Sequence, residues 1–145
     1  GLIEKGIEEG AEVVVGGPGK PEGLNQGYFV KPTVFANVSN DMTIAREEIF
    51  GPVVTIHRFN SDDEAIEIAN STEYGLAGSI WSSDSNRAHE IAKRIETGIV
   101  WVNTWLHRDL RTPFGGVKNS GVGREGGAWS LGFFSEPLNV CIKHD

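Results

Sequence analysis

The feature that narrows the fold most lies between Val53 and Val102, where strand-type and helix-type patterns alternate. Val53–Phe59 alternates partly, in the manner of a strand. Ser61-Asp62-Asp63-Glu64 has the form of a capping box, in which the serine hydroxyl accepts from the Glu64 N–H and the glutamate returns a bond to the backbone. The pattern predicts a helix from there to about Ser71, with Ala65, Ile66, Ile68 and Ala69 on its apolar face. Gly78–Trp81 has the form of a strand. Asp84 is placed to cap a second helix, in which Ala88, Ile91, Ala92 and Ile95 recur at i, i+3, i+4 and i+7 and Gly98 is the expected stop. Ile99–Val102 is a continuous apolar run, as in a buried strand. This alternation predicts an α/β fold with some parallel pairing, because parallel neighbours need a crossover between them.

The flanks are less regular. Leu2, Ile3 and Ile7 form a short helical stripe with Gly10 as its C′ stop. That helix has nothing of its own before it, so the chain is expected to begin inside something longer. Val13–Val15 predicts a buried strand ending at Gly16-Gly17, followed by a loop at Gly17–Gly23. Tyr28–Phe35 holds strand-formers interrupted by Pro32, which predicts an edge strand or paired short strands. Asn103–Gly127 is rich in glycine and poor in helix signals. Phe133–Lys143 is β-rich around Pro137, and a terminal strand of this kind is expected to pair outside its own domain. There is no internal repeat.

Bulk properties exclude several function classes. The 145 residues suffice for one domain, and 39% hydrophobic with 23% charged residues is ordinary for a soluble globular protein. No apolar run approaches the roughly 18–20 residues of a membrane span, and Gly1–Gly10 is acidic and amphipathic, unlike a signal peptide. A net charge of −7 argues against a nucleic-acid surface. The single cysteine, Cys141, excludes an intrachain disulfide and fits a reducing compartment, so a cytoplasmic location is expected. The four histidines, His57, His89, His107 and His144, show no metal-ligand spacing, and no metal site is expected. Cys141, between Val140 and Ile142, has the setting of a small hydrophobe in a strand rather than of a nucleophile.

Three segments carry possible chemistry. In Glu47-Glu48-Ile49-Phe50-Gly51-Pro52 two acids precede an aromatic and a turn. A carboxylate there can accept from both hydroxyls of a ribose, with the aromatic as a flat wall; the other reading is an acidic helix end followed by a buried Phe. Thr112–Glu125 has glycines spaced for tight turns and close backbone approach, but not as in a Walker A loop or a G-x-G-x-x-G fingerprint. It can also be a long packed loop in which Arg124 and Glu125 make an ordinary ion pair. Trp105-Leu106-His107-Arg108-Asp109-Leu110-Arg111 follows the end of a predicted strand, where α/β folds bind ligands, and an arginine fork matches a carboxylate. Its alternative is a solvated turn paired with Asp109.

Taken in order, these segments resemble the aldehyde dehydrogenase superfamily over essentially the whole chain. The matching motifs are Gly27-Tyr28-Phe29-Val30-Lys31-Pro32-Thr33-Val34-Phe35, Glu47–Pro52, Asn70-Ser71-Thr72-Glu73-Tyr74-Gly75-Leu76-Ala77 and Gly98-Ile99-Val100-Trp101-Val102-Asn103. Pro113-Phe114-Gly115-Gly116-Val117-Lys118 and Ser120-Gly121-Val122-Gly123-Arg124-Glu125 complete the set. The resemblance implies the C-terminal part of an α/β catalytic domain over 1–127, without its nucleophile segment, and a strand of the oligomerisation domain over 128–145.

By position, the resemblance implies that Glu48 holds the nicotinamide-side ribose of NAD or NADP and that Phe50 packs against that ribose and the nicotinamide. Asn103 ends the strand leading to the substrate loop. Trp105, Arg108 and Phe114 fall on the substrate side, and Glu125 lies behind the pocket in the proton or water path. Glu136 takes the place of an interface glutamate with Arg124 as its partner, and Phe133–Lys143 reaches another subunit in a homo-oligomer. The Trp105–Arg111 loop, with Arg108 where many relatives carry an aromatic, resembles that of the 2-hydroxymuconic and 2-aminomuconic semialdehyde dehydrogenases. Their substrates carry a carboxylate, which makes Arg108 a candidate clamp. The nucleophilic cysteine and the general-base glutamate of the family belong upstream of this region. The expectation is therefore a fragment whose parent oxidises an aldehyde to a carboxylate and which is inactive alone. The alternative is a non-catalytic assembly module that dimerises or binds a full-length partner.

Overall fold

The computed structural model describes residues 1–144, and the chain falls into two compact units, Gly1–Glu73 and the part from Tyr74 onward. Both are mixed α/β, and each contains one parallel strand–helix–strand crossover.

In the first unit the elements run α1 (Leu2–Glu8), β1 (Glu12–Val15), β2 (Thr33–Ala36), α2 (Thr43–Arg46), β3 (Val53–Thr55) and α3 (Asp62–Asn70). The sheet order is β1-β2-β3, with β2 antiparallel to β1 and parallel to β3. Phe35, on the central strand, is fully buried and forms the core with Ala11, Val38 and Ile44. Gly10 follows α1 at φ 96°, a conformation without steric cost only for glycine, and so stops the helix as its position predicts.

Four details depart from the sequence pattern. β1 is not buried: Val13 packs on the core, but Val14 faces the other side of an edge strand, and a bulge between Val13 and Val15 breaks the alternation. Val14 and Val15 are consequently 55% and 54% exposed. Of Tyr28–Phe35 only the part from Thr33 onward is strand, because Pro32 has no N–H to extend the ladder. β3 likewise stops at Thr55 rather than continuing to Phe59. The α3 cap is half of the expected box. Ser61 Oγ accepts from the Glu64 N–H at 3.2 Å, but Glu64 Oε2 accepts from the N–H of Asn60 at 2.6 Å. With Ser61 extended (φ −145°, ψ 161°), the carboxylate reaches one residue further back.

In the second unit the elements are β4 (Tyr74–Gly75), β5 (Ala77–Ile80), α4 (Ser85–Ala92), β6 (Ile99–Val102), β7 (Val117–Lys118) and α5 (Gly127–Phe133). β5 and β6 pair in parallel, Ala77 opposite Ile99 and Ile80 opposite Val102, and β4 pairs antiparallel with β7. Asp84 Oδ1 accepts from the Arg87 N–H at 3.0 Å and caps α4 as expected. Ala88 and Trp101 supply the buried side chains. The helix ends at Ala92, before the predicted stop, so Gly98 is not its cap. Gly98 instead marks a backbone crossing: its N–H donates to Gly75 O at 3.1 Å, and a Cβ there would lie 1.5 Å from Gly115 O.

At the C-terminus the first residue of the expected strand is helical. Phe133 is the last residue of α5, and 134–144 form no ladder with any described residue. A strand exists only through its partner, and this segment has none among the described residues. Leu138, Val140 and Ile142, at alternate positions, are 86%, 69% and 72% exposed.

Candidate active site

The substrate-side candidates converge in the second unit. β6 carries the chain to Asn103, whose positive φ of 52° turns the backbone out of the strand. Its side chain fixes that turn to the end of β5: Oδ1 accepts from the Ser82 N–H at 2.9 Å and Nδ2 donates to Ser82 O at 2.8 Å. The loop beyond is anchored by Trp101, whose indole N–H donates to His107 O at 2.7 Å, and by Trp105, edge-to-face on Trp101 with centroids 4.9 Å apart. The next residue after His107 is Arg108.

Arg108 meets the glycine-rich segment. Phe114 and Glu125 exchange both backbone hydrogen bonds, each at 2.8 Å, and so close the Thr112–Glu125 loop at its base. On this bridge the Phe114 ring lies 4.0 Å from the Arg108 guanidinium carbon, and Glu125 Oε1 accepts from Arg108 Nη2 at 2.6 Å. Phe114, Arg108 and Glu125 thus form one cluster, with the cation between an aromatic face and a carboxylate. Of the two pairings read from sequence neighbours, one is replaced and one is present. Arg124 does not pair with Glu125; its Nη1 donates to the carbonyls of Gly116 (2.9 Å) and Gly123 (2.6 Å). Asp109 pairs with Arg111 through Nε and Nη2, the pairing of the turn that the sequence allows, and that guanidinium holds the Asp109 carboxyl below its usual range.

A cavity of about 420 Å³ opens beside the cluster, with Phe114 and Glu125 in its wall together with Leu76, Val122, Phe133 and Phe134. Its size and apolar lining suit a small organic molecule. Leu76, Val122 and the two phenylalanines are wall residues that the sequence alone does not single out as such. Ser120 is another: its hydroxyl accepts from the Gly75 N–H at 2.9 Å and ties the loop to β4.

The cofactor candidates lie in the first unit, on the turn between α2 and β3. Glu48 is exposed, with no protein partner for its carboxylate among the described residues. Phe50 is not the buried aromatic of the alternative reading. It is 93% exposed and sits at φ 52°, a region that a bulky side chain occupies only under strain. A cleft of about 340 Å³ runs past it, lined by Pro18, Gly19, Ile49 and Pro52 among others. A free carboxylate and an uncovered ring two residues apart fit a ribose and a flat heterocycle, so the residues present suit the ribose–nicotinamide part of a dinucleotide.

Glu136 and Cys141 lie in the unpaired terminal segment. Glu136 is exposed and makes no contact with Arg124. The Cys141 thiol is exposed, 3.7 Å from Asn139 Oδ1. Among the described residues no group of histidine, cysteine and acidic side chains could hold a metal ion, and no helix is long and apolar enough to cross a membrane.

Comparison with known proteins bears on the whole chain. A model of the aldehyde dehydrogenase family matches residues 1–140. The 2-hydroxymuconic semialdehyde dehydrogenase of Pseudomonas putida is 51% identical over 142 residues, covering 97% of this chain and 29% of that protein. Among solved structures, the Mycobacterium tuberculosis aldehyde dehydrogenase in complex with NAD+ is 49% identical with a TM-score of 0.88, over 97% of this chain and 30% of that one. A Pseudomonas syringae aldehyde dehydrogenase in complex with NAD+ and octanal is 45% identical with a TM-score of 0.85, over 90% and 27%. The chain spans about 29% of the length of the curated relatives it matches.

Proposed function

The chain belongs to the aldehyde dehydrogenase family, and we propose that it supplies the ribose-holding turn and one wall of the substrate pocket to an enzyme that oxidises a carboxylate-bearing aldehyde with NAD. The observation that carries this reading is the Arg108 cluster. A guanidinium stacked on Phe114, beside an apolar cavity, is a built receptor for a small molecule with an acidic end. The semialdehyde named for the Pseudomonas putida relative, a muconic acid derivative, has such an end.

Each residue has a role in this reading. Arg108 anchors the substrate carboxylate and so fixes how deep the aldehyde sits. Phe114, with Trp105 behind the loop, walls the pocket and excludes water. Glu125, at the cavity edge, holds or passes a proton. Glu48 accepts from the ribose hydroxyls and Phe50 covers the ribose–nicotinamide face. The bound dinucleotide supplies the hydride acceptor; NAD is favoured over NADP because solved relatives carry NAD+.

Taken alone, the 145 residues are proposed not to turn over aldehyde. Covalent aldehyde oxidation needs a thiolate beside the carbonyl carbon, and the Cys141 thiol stands in the exposed terminal segment. A second role is favoured by that segment: Leu138, Val140 and Ile142 expose one apolar edge suited to pairing with another copy, with Arg124 and Glu136 near the resulting interface. A cytoplasmic setting fits this reading.

Replacing Arg108 by alanine in the full-length protein tests the clamp. The expected result is a loss of kcat/KM of about 10- to 100-fold for an acidic semialdehyde, the worth of a charged hydrogen bond, with little change for a neutral aldehyde of equal length. Equal losses for both would contradict it.

A further inference from the structure

We propose that Glu125 is a specificity-determining positioning residue: its carboxylate occupies Arg108 in the free protein, and an acidic substrate enters by displacing it. The inference rests on the reading of Arg108 as a substrate clamp and adds a competitor inside the chain.

Three observations support the exchange. First, the contact is one-pronged. Glu125 Oε1 takes a single donor, Nη2, at 2.6 Å, and Arg108 has no second acceptor among the described residues. A guanidinium offers five N–H donors, so most of the fork stays open to an incoming carboxylate. Second, the two partners are held differently. The Arg108 side chain is 29% exposed and rests on the Phe114 ring, whereas that of Glu125 is 62% exposed. The cation therefore has a seat that survives loss of its partner, and the carboxylate can rotate into water. Third, the Glu125 backbone is fixed to Phe114 by paired bonds of 2.8 Å, so only its side chain moves on exchange and the loop base stays closed.

The charge balance of the exchange is even. One carboxylate leaves Arg108 as another arrives, and the cation is left unpaired at neither stage. A neutral aldehyde cannot drive it and meets a closed pair. The pair therefore selects acids by exchange, at the expense of part of their affinity.

The experiment is titration of the full-length protein with adipate, an unreactive dicarboxylate, by calorimetry, with adipamide as the uncharged control. The variants are Glu125→Gln, Arg108→Ala and the double variant, each checked for fold by circular dichroism. Glu125→Gln should bind adipate about threefold or more tightly, the scale of an exposed ion pair, and adipamide unchanged. Arg108→Ala should weaken adipate, and the gain from Glu125→Gln should vanish in the double variant. Unchanged or weaker adipate binding by Glu125→Gln, with Arg108→Ala still weakened, overturns the displacement and leaves the clamp standing. An equal gain in the Arg108→Ala background shows a general charge effect and also overturns it. If Arg108→Ala leaves adipate binding intact, the clamp itself fails.

Discussion

Gly98 and Gly115 approach so closely that a Cβ on Gly98 would fall 1.5 Å from the Gly115 carbonyl oxygen. Gly98 begins the turn into β6 and Gly115 follows the Phe114–Glu125 bridge, so this crossing sets the height of the Arg108 cluster against the parallel pair β5–β6. Both motif glycines are thus explained by one contact, through steric room rather than helix termination.

Gly98→Ala should therefore be severely destabilising, by at least about 3 kcal/mol, because the obstructing atom is backbone and cannot rotate away. Gly132→Ala is the matched control: that position in α5 is open, with nothing within 4 Å, and a methyl there should be neutral or mildly stabilising. Urea unfolding of the two variants checks the contrast. Equal behaviour would show that the crossing does not constrain the fold.

Glu9 predicts a pH dependence in the first unit. The helix α2 has no side-chain cap of its own, and Glu9 provides one from the end of α1: its carboxylate accepts from Thr43 Oγ1 at 2.6 Å and from the Thr43 N–H at 2.7 Å. The Thr43 hydroxyl first, then the Thr43 N–H, holds the Glu9 carboxyl below its usual range. The folded state thus binds the proton less readily than the unfolded chain. The stabilisation is complete above the unfolded value of about 4.3 and is lost as pH falls through the lower folded value. The stability gap between wild type and Glu9→Gln should be constant above about pH 5 and shrink on acidification. Denaturant titrations from neutral to acid pH check this, and a gap independent of pH would contradict the assignment.

What was legible in the sequence is what consecutive residues encode. The span of β6 coincides with the apolar run Ile99–Val102, and Asp84 and Ser61 cap their helices, because caps and periodicity depend on neighbours three or four positions away. Arg108 was legible from its place in the loop after the predicted strand, and Phe114 and Glu125 from the family motifs, but their union in one cluster was not. Nor was the capping of Thr43 by Glu9, a contact made across a long sequence separation through the packing of α1. A turn paired with Asp109 was legible, and Arg111 makes that pair, but the local pairing of Arg124 with Glu125 does not form, since charge alone does not choose among nearby partners; the Phe114–Glu125 bridge brings Glu125 to Arg108 instead. The terminal segment was β-like in pattern, yet a ladder needs a second edge, which no described residue supplies.

The most direct test of the account is the substrate preference of the full-length protein. NAD reduction should be followed with an acidic semialdehyde and with a neutral aldehyde of the same length. If Arg108 binds a substrate carboxylate, kcat/KM for the acidic compound should be higher by about tenfold or more, the scale of one charged hydrogen bond. Equal rates, a preference for the neutral aldehyde, or no NAD reduction with either would contradict it.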